Sequence, residues 1–431
     1  MLVDVVHSLN MFLYLSLAVI TIVVIKLFQK RNERATFGIY QKPGRWYFLK
    51  LSLMLLLLKT RKAIDRWQLQ WKKARDSSNA GYGFKSRVSP EDMDKQQPLS
   101  NHPKAIDAVY FNAASRDGHQ LVVGTAHRPH GVVNGFMCLR VPDIGLLMTP
   151  KLPDTITFRT EEEGTHYGAE GIRLKPVKPM KSWDIMYDGK MKLHGDPKKM
   201  YDVALYVKFT SSLPYFDFDT DMEELAVAKG MALEPWSQEY FSIVRDFHQT
   251  HYEQHGSFEG HVVINGNKYP LCLDGARDHS YARKRDWSNF HRYVIHFITL
   301  ENGARMTITV VCVPMVFSRM AMGYMYKPDD TLLPIQWCDL KLQYHGENGK
   351  PPSDYSFFFQ AGGEKYHVQV DIAESFEFFM GWEWEARIVE NLAHFTVNGV
   401  AGWGAVEWEY RHLGGRPGEV ASNDPPFTHQ I

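Results

Sequence analysis

Hydrophobic and polar positions change their period twice along this chain. Leu9 to Phe28 is apolar almost throughout, broken only by Asn10, Ser16, Thr21 and Lys26, and about 20 such residues cross a bilayer as a helix. Trp46 to Leu58 is a second, shorter apolar run that carries Lys50. It continues into Lys59, Arg61 and Lys62 and a helical face bearing Ile64, Trp67 and Trp71. That pattern fits a helix lying on a membrane surface, with a second span or hairpin and a buried core helix as the alternatives. From about residue 105 the period drops to two.

Strand signals then dominate. Ala108–Asn112 and Gln120–Gly124 flank the turn chemistry of Ser115-Arg116-Asp117-Gly118, and Asn-Gly pairs recur at 134, 265, 302, 348 and 398, the strongest short-range hairpin cue. Val262–Tyr269 and His296–Val311 read as hairpins, and Tyr366–Asp371 and Ala405–Tyr410 alternate. The fold class is mainly β, and many short antiparallel strands at this spacing make a sandwich or a barrel. One interruption, Asp221 to about His255, reads as helical. Acids open it, Pro235 suits the first turn of a second helix, and Phe241, Ile243, Val244 and Phe247 give that helix an apolar stripe.

These boundaries divide the chain into seven parts. A transmembrane anchor covers 1–28, a basic juxtamembrane segment with the surface helix covers 29–75, and a linker covers 76–104. A first barrel is expected over 105–215, a helical connector over 216–256, a second barrel over 257–413, and a loose tail over 414–431.

Charge sharpens the N-terminal reading. The chain is formally neutral, yet residues 26–75 hold 14 Lys and Arg against Glu33 and Asp65, a net of +12 that leaves −12 for the rest. A basic flank after the apolar run puts the N-terminus outside and the body in the cytosol, on the endoplasmic reticulum or another endomembrane. The surface helix then faces an anionic leaflet. The absence of glycosylation sequons and the four widely spaced cysteines, read as buried thiols, fit a reducing compartment. For nucleic acid the basic segment is too apolar and the body too acidic. No Gly-rich phosphate loop is present, and no cofactor is expected.

The chemistry gathers in Gly275-Ala276-Arg277-Asp278-His279-Ser280-Tyr281-Ala282-Arg283-Lys284-Arg285-Asp286-Trp287. Burying such a mixture costs free energy unless its charges are paired. Preceded by Tyr252-Glu253-Gln254-His255-Gly256, this stretch resembles the G-x-RDHSWG-x-RDW motif of a lipocalin-like group. That group includes the carotenoid 1,2-hydratases, the AttH proteins, the fungal survival factor linked to ceramide transport, and animal relatives labelled phosphoenolpyruvate-synthase-like. The chain departs from the motif at Tyr281, at Ala282 and in the extra residue of Arg283-Lys284. The resemblance covers about 105–413, is specific over about 252–290, and implies two tandem lipocalin-like barrels.

Two readings of the motif stand side by side. If it begins in a strand, Arg277, His279 and Tyr281 point to one side and Asp278 and Ser280 to the other. In the first reading His279 and Tyr281 face a barrel cavity, with His279 as general acid or base and Asp278 or Asp286 balancing its charge. In the second, Arg277, Asp278, Arg285 and Asp286 form a charged latch that closes the barrel, plugged by Trp287. His248, His251 and His255 share a helical spacing without a zinc-like partner set, so no metal is expected, and they read as a solvated or inter-domain helix face.

The expected function is a membrane-anchored lipocalin-like protein that binds or transfers a membrane lipid or isoprenoid. The alternatives are a hydratase, cyclase or isomerase acting on an isoprenoid through His279, and a scaffold with no ligand.

Overall fold

The computed structural model describes residues 33–69, 89–159 and 166–425, with the isolated positions 14, 15, 18 and 21. The first sheet contains β1 (Ile106–Ala114), β2 (Gln120–His127), β3 (Val132–Val141), β4 (Gly145–Met148), β5 (Ile156–Phe158) and β6 (Ile172–Lys178). It continues with β7 (Ser182–Leu193), β8 (Asp196–Thr210), β9 (Phe216–Asp217), β10 (Thr250–Ile264) and β11 (Asn267–Ala282). Hydrogen bonding runs β11-β1-β2-β3-β4-β7-β8-β10, and β10 pairs back onto β11, so eight strands close a ring. The second barrel is closed by β12 (Arg292–Leu300), β13 (Arg305–Val313), β14 (Phe317–Tyr326), β15 (Leu332–Cys338), β16 (Asp354–Ala361), β17 (Glu364–Met380), β18 (Ala386–Val397) and β19 (Val400–Arg411). The fold is mainly β and antiparallel, as the turn chemistry implies.

Alternation sorts each strand between two environments. On β1, Val109, Phe111 and Ala113 join the interior of the first barrel, while Tyr110 points outward and packs against Phe297 of the second. Strands on this side therefore read as continuous apolar runs, since both faces are covered. Asn265-Gly266 and Asn398-Gly399 form the expected tight hairpins, with positive φ at both residues of each turn. Asn134-Gly135 does not turn; it lies inside β3.

The boundary between barrels differs from the one expected. Two helices, α2 (Glu224–Leu233) and α3 (Gln238–Asp246), fill only part of the connector. Ser237 caps α3 by accepting from the Tyr240 amide. From Thr250 the chain is strand, and β10 and β11 return to the first barrel, which therefore runs to residue 282. Polar side chains occupy both faces of 250–255, so no apolar period announces the strand, and its histidines fall by coincidence at helical intervals. Gly275 opens the motif because β11 crosses β1 there so closely that a Cβ would stand 2.0 Å from the Asn112 carbonyl oxygen.

The described parts of the segments expected to be loose, 89–104 and 414–425, are also built in. Within 76–104, a single helical turn at Pro90–Met93 leads to Asp94, and both Met93 and Asp94 are 1% exposed. In the tail, Arg416 is held by Asp154 and Asp424 at 2.8 and 2.5 Å. Cys138, Cys312 and Cys338 are buried as expected, but Cys272 is exposed. The anchor expected over Leu9–Phe28 lies outside the described residues apart from positions 14, 15, 18 and 21. No helix among the described residues is long and apolar enough to cross a membrane. This stretch is helical as α1 (Tyr47–Leu69), with Met54 and Leu58 buried in the body; the Trp67 side chain and Trp71 lie outside what is described.

The expected set of Arg277, Asp278, Arg285 and Asp286 does not form a latch; Arg277 pairs elsewhere. Arg277 Nη1 lies 2.9 Å from Asp94 Oδ1, both side chains 1% exposed, and its guanidinium sits over the rings of Trp183, Phe209 and Tyr252. Asp94 also accepts from the Met180 amide at 2.6 Å and the Trp183 indole at 3.2 Å. Neither Asp278 nor Asp286 takes part: Asp278 faces the other side of β11, and Asp286 pairs with half-exposed Lys104 at 2.7 Å. Arg285 donates to Gln249 and lies over Trp287, which is buried beside Phe290.

A partner-specific stability pattern follows. Asp94→Ala strands a buried guanidinium and is expected to cost about 3–5 kcal/mol. Asp286→Ala, losing a half-exposed pair, is expected to cost about 0–1 kcal/mol. Chemical denaturation of the three proteins gives the comparison; equal losses would remove the Arg277–Asp94 pair from its place as the barrel's closure.

Candidate functional site: the seam between the barrels

The outward faces of the two barrels enclose a cavity of about 190 Å³. Its walls are mostly apolar: Ala108, Phe136, Ile295, Phe297, Met322 and Phe378 contribute from both sides. Into this setting β10 and β11 point His251, Asp278 and Ser280, while β19 of the second barrel points Glu407. A mostly apolar cavity with a few convergent polar groups is the ordinary form of a small-molecule site.

The polar groups fall into two sets. On the first barrel, His251 Nε2 is 3.1 Å from Asp278 Oδ2 and 3.4 Å from Glu253 Oε1, with Phe218 stacked on the imidazole at 4.4 Å. Glu253 and Asp278 stand directly opposite each other across the β10–β11 pair. Burial pushes the His251 pKa down, but the hydrogen bond and charge of Asp278 and the charge of Glu253 outweigh it and leave the imidazole raised. Burial lifts Glu253 to about 7, with the Asp278 charge adding to it, against His251 and the nearby Tyr324 and Thr307 hydroxyls. The ligand atoms of His251, Glu253 and Asp278 lie within 4.8 Å of one another. That spacing can share a proton or take a divalent cation.

The second set is a pair of glutamates. Glu390 and Glu407 face each other across β18 and β19. Tyr110 donates to Glu390 at 2.6 Å and Tyr293 donates to Glu407. Burial first, and then the charge of Glu407, lift Glu390 well above the usual carboxylate range. Burial also lifts Glu407, against the hydrogen bonds of Glu390, Tyr293 and Tyr110. Two buried carboxyls this close disfavour ionising together, so the pair favours a shared proton and titrates as a unit.

The family resemblance between this chain and others can now be set beside the geometry. The model of a family of unknown function (DUF8627) matches residues 13–410. The chain belongs to that family. No curated protein matches it. Among solved structures it is similar to an AttH protein from Nitrosomonas europaea, at 11% identity and a TM-score of 0.46, over 72% of this chain and 96% of that one. It is similar to kievitone hydratase from Nectria haematococca, at 11% identity and a TM-score of 0.38, over 79% and 96%. It is also similar to CghA with Sch210972, at 10% identity and a TM-score of 0.46, over 78% and 96%. At this distance no residue role or activity passes from those proteins to this one.

The sequence-expected residues separate by face. His279 is 0% exposed, with Nε2 2.6 Å from Asp107 Oδ1 and Nδ1 2.5 Å from the Tyr252 hydroxyl. It points into the first barrel and does not line the seam, and Tyr281 packs beside it. Arg277 is on the same inner face. Asp278, Ser280, Arg285 and Trp287 do line the seam cavity. Sequence reasoning missed His251 as a strand residue, and it missed Glu253, Glu390, Glu407, Tyr110 and Tyr293. The alternation Glu407-Trp408-Glu409 inside an apolar strand was a usable signal, since one face of that strand is acidic.

A pH test isolates Glu253. Its folded pKa of about 7 lies above its ordinary 4.5. The stability it contributes is therefore fully present below about pH 4.5 and lost as pH rises through 7, on the order of 3 kcal/mol across the window. Depressed His127 and His255, at about 4 and 3, act with the opposite sign, so the readout is a difference. Glu253→Gln should gain melting temperature relative to wild type as pH rises from about 4.5 to 7. A pH-independent difference would mean that Glu253 is ordinary in the folded state.

Proposed function

We propose that this protein is a proton-transfer enzyme acting on a compact, largely apolar substrate between its barrels, by hydration or dehydration, double-bond isomerisation or cyclisation. The observation that carries this is the convergence of the Asp278–His251 pair from one barrel and of Glu407, with Glu390 behind it, from the other on a single apolar cavity. Perturbed titrating groups facing each other across a dry cleft mark functional sites.

The roles follow from protonation. Glu407, sharing a proton with Glu390, serves as general acid toward an alkene carbon or a leaving hydroxyl. In a hydration, water adds to the resulting cation and gives its proton to Asp278, which His251 orients. Dehydration runs the same steps backwards, and isomerisation or cyclisation returns the proton without water. The role first read for His279 passes in this proposal to Asp278 and His251, because His279 sits on the opposite face of β11.

The lipid-carrier reading rests on the same cavity. At about 190 Å³ it is smaller than the roughly 300–1,000 Å³ of drug-sized sites, which favours a compact substrate over a long acyl chain. A carrier also needs no protonated carboxyl pair.

The test is isotopic. Apolar extracts of the source cells, incubated with the full chain in deuterated water, should yield a compound carrying non-exchangeable deuterium. Glu407→Gln and Asp278→Asn should each lower that incorporation by about 10²–10⁴-fold, whereas His279→Gln should not, provided it folds. Compounds that bind but leave unlabelled would replace the enzyme with a carrier, and loss of labelling on chelation would move the chemistry to a metal.

A further inference from the structure

The helix α1 is apolar on two opposite faces, and the body covers one of them. Its inner face (Leu51, Met54, Leu55, Leu58) packs into the cluster shared by α2, α3 and the seam. Lys62 fixes the far end through Glu224 at 3.0 Å and the Met222 carbonyl at 3.0 Å, and Lys50 donates to the Glu234 carbonyl at 2.5 Å. The outer face presents Phe48, Leu49, Leu53, Leu56, Leu57 and Ile64, between 46% and 68% exposed. A helix apolar all round belongs in a covered environment, and a continuous exposed patch of this kind marks an interaction site.

Charge and position identify what covers it. Trp46 stands at the start of the helix, 38% exposed, and exposed Lys59 stands at the end of the apolar stretch. The helix lies within residues 26–75, with their net charge of +12. An aromatic end, an apolar face and a basic sequence around it complement an anionic bilayer surface. A second copy of this chain would bring two +12 segments together instead.

We propose that the outer face of α1 docks flat on an anionic lipid bilayer, with Phe48, Leu53, Leu56 and Leu57 in the headgroup–acyl boundary. The docking holds the seam beside the lipid. Leu58 and Lys62 share a small pocket with Phe218, and Phe218 is the ring stacked on His251. This inference stands on the helix surface alone and does not depend on the proposed chemistry.

The test uses the full chain with Cys272→Ser, labelled with a fluorophore at Leu56→Cys. It is reconstituted with vesicles of phosphatidylcholine and phosphatidylserine containing spin-labelled lipid. A label on native Cys272, in the chain without either substitution, is the reference. Quenching several-fold stronger at 56 than at 272, and weakened when phosphatidylserine is omitted, is the expected result. A vesicle-bound protein whose label at 56 is no more quenched than at 272 overturns the proposal. Cross-linking between two copies through position 56, or shielding of it from both lipid and water-soluble quencher, assigns the face to a second copy or to the chain's own N-terminal segment and also overturns it. Leu53→Cys gives an independent second reading on the same face.

Discussion

The alternation of the β10–β11 hairpin is the constraint on which the rest depends. One strand pair must present Arg277, His279, Tyr252 and Gln254 inward and His251, Glu253, Asp278 and Ser280 outward. A one-residue slip would exchange the faces, putting the seam's acids in the first barrel and Arg277 in the cavity. Two devices prevent it. The Asn265-Gly266 turn sets the register from one end, and the Arg277–Asp94 and His279–Asp107 pairs fix it from within. The motif is charge-dense because two separate jobs share one strand on opposite faces.

That division also explains what could be read from the sequence. The β class, the hairpins at Asn265 and Asn398, the two helices after Asp221 and the face-splitting of Arg277/His279 from Asp278/Ser280 were all legible, since each depends on local turn chemistry or on a period of two. The partners were not. Asp94 and Asp107 lie 183 and 172 positions before Arg277 and His279, and Asp94 sits in a stretch whose Gly, Ser and Pro content reads as a linker. Glu390 and Glu407 are set against Asp278 by the packing of one barrel on the other, which no local pattern encodes. The end of the first barrel was misplaced for a related reason: the start of β10, 250–255, is polar on both faces, one side buried in the first barrel and the other by the seam.

The energetics support reading the two faces differently. On the inner face each charge has an opposite partner within hydrogen-bond distance, so desolvation is offset and the groups are fixed in place. On the outer face acids meet acids. Glu253 stands opposite Asp278 with only His251 to share between them, and Glu390 stands opposite Glu407 with no cationic side chain among the described residues between the two. Like-charged carboxyls in a dry seam weaken the interface they occupy. A seam built only to join two barrels is better served by apolar residues of similar volume.

The same logic explains why the cavity lies between the barrels. Small barrels hold either packed side chains or one ligand, and here large buried side chains occupy both interiors. Trp183, Phe111, Phe209 and Phe258 pack around Arg277 in the first, and Trp408, Phe357 and Phe359 occupy the second. The cavity lies on outward faces instead, and an outward face is enclosed only where another element covers it. The second barrel covers β1, β10 and β11; α2, α3 and the inner face of α1 close the flank through Phe218, Met222 and Leu58. The enclosure thus depends on two barrels and three helices holding their relative positions. Groups far from the cavity, the Arg277–Asp94 pair and the Lys62–Glu224 bridge among them, hold the elements that carry Glu407 and Asp278 in place.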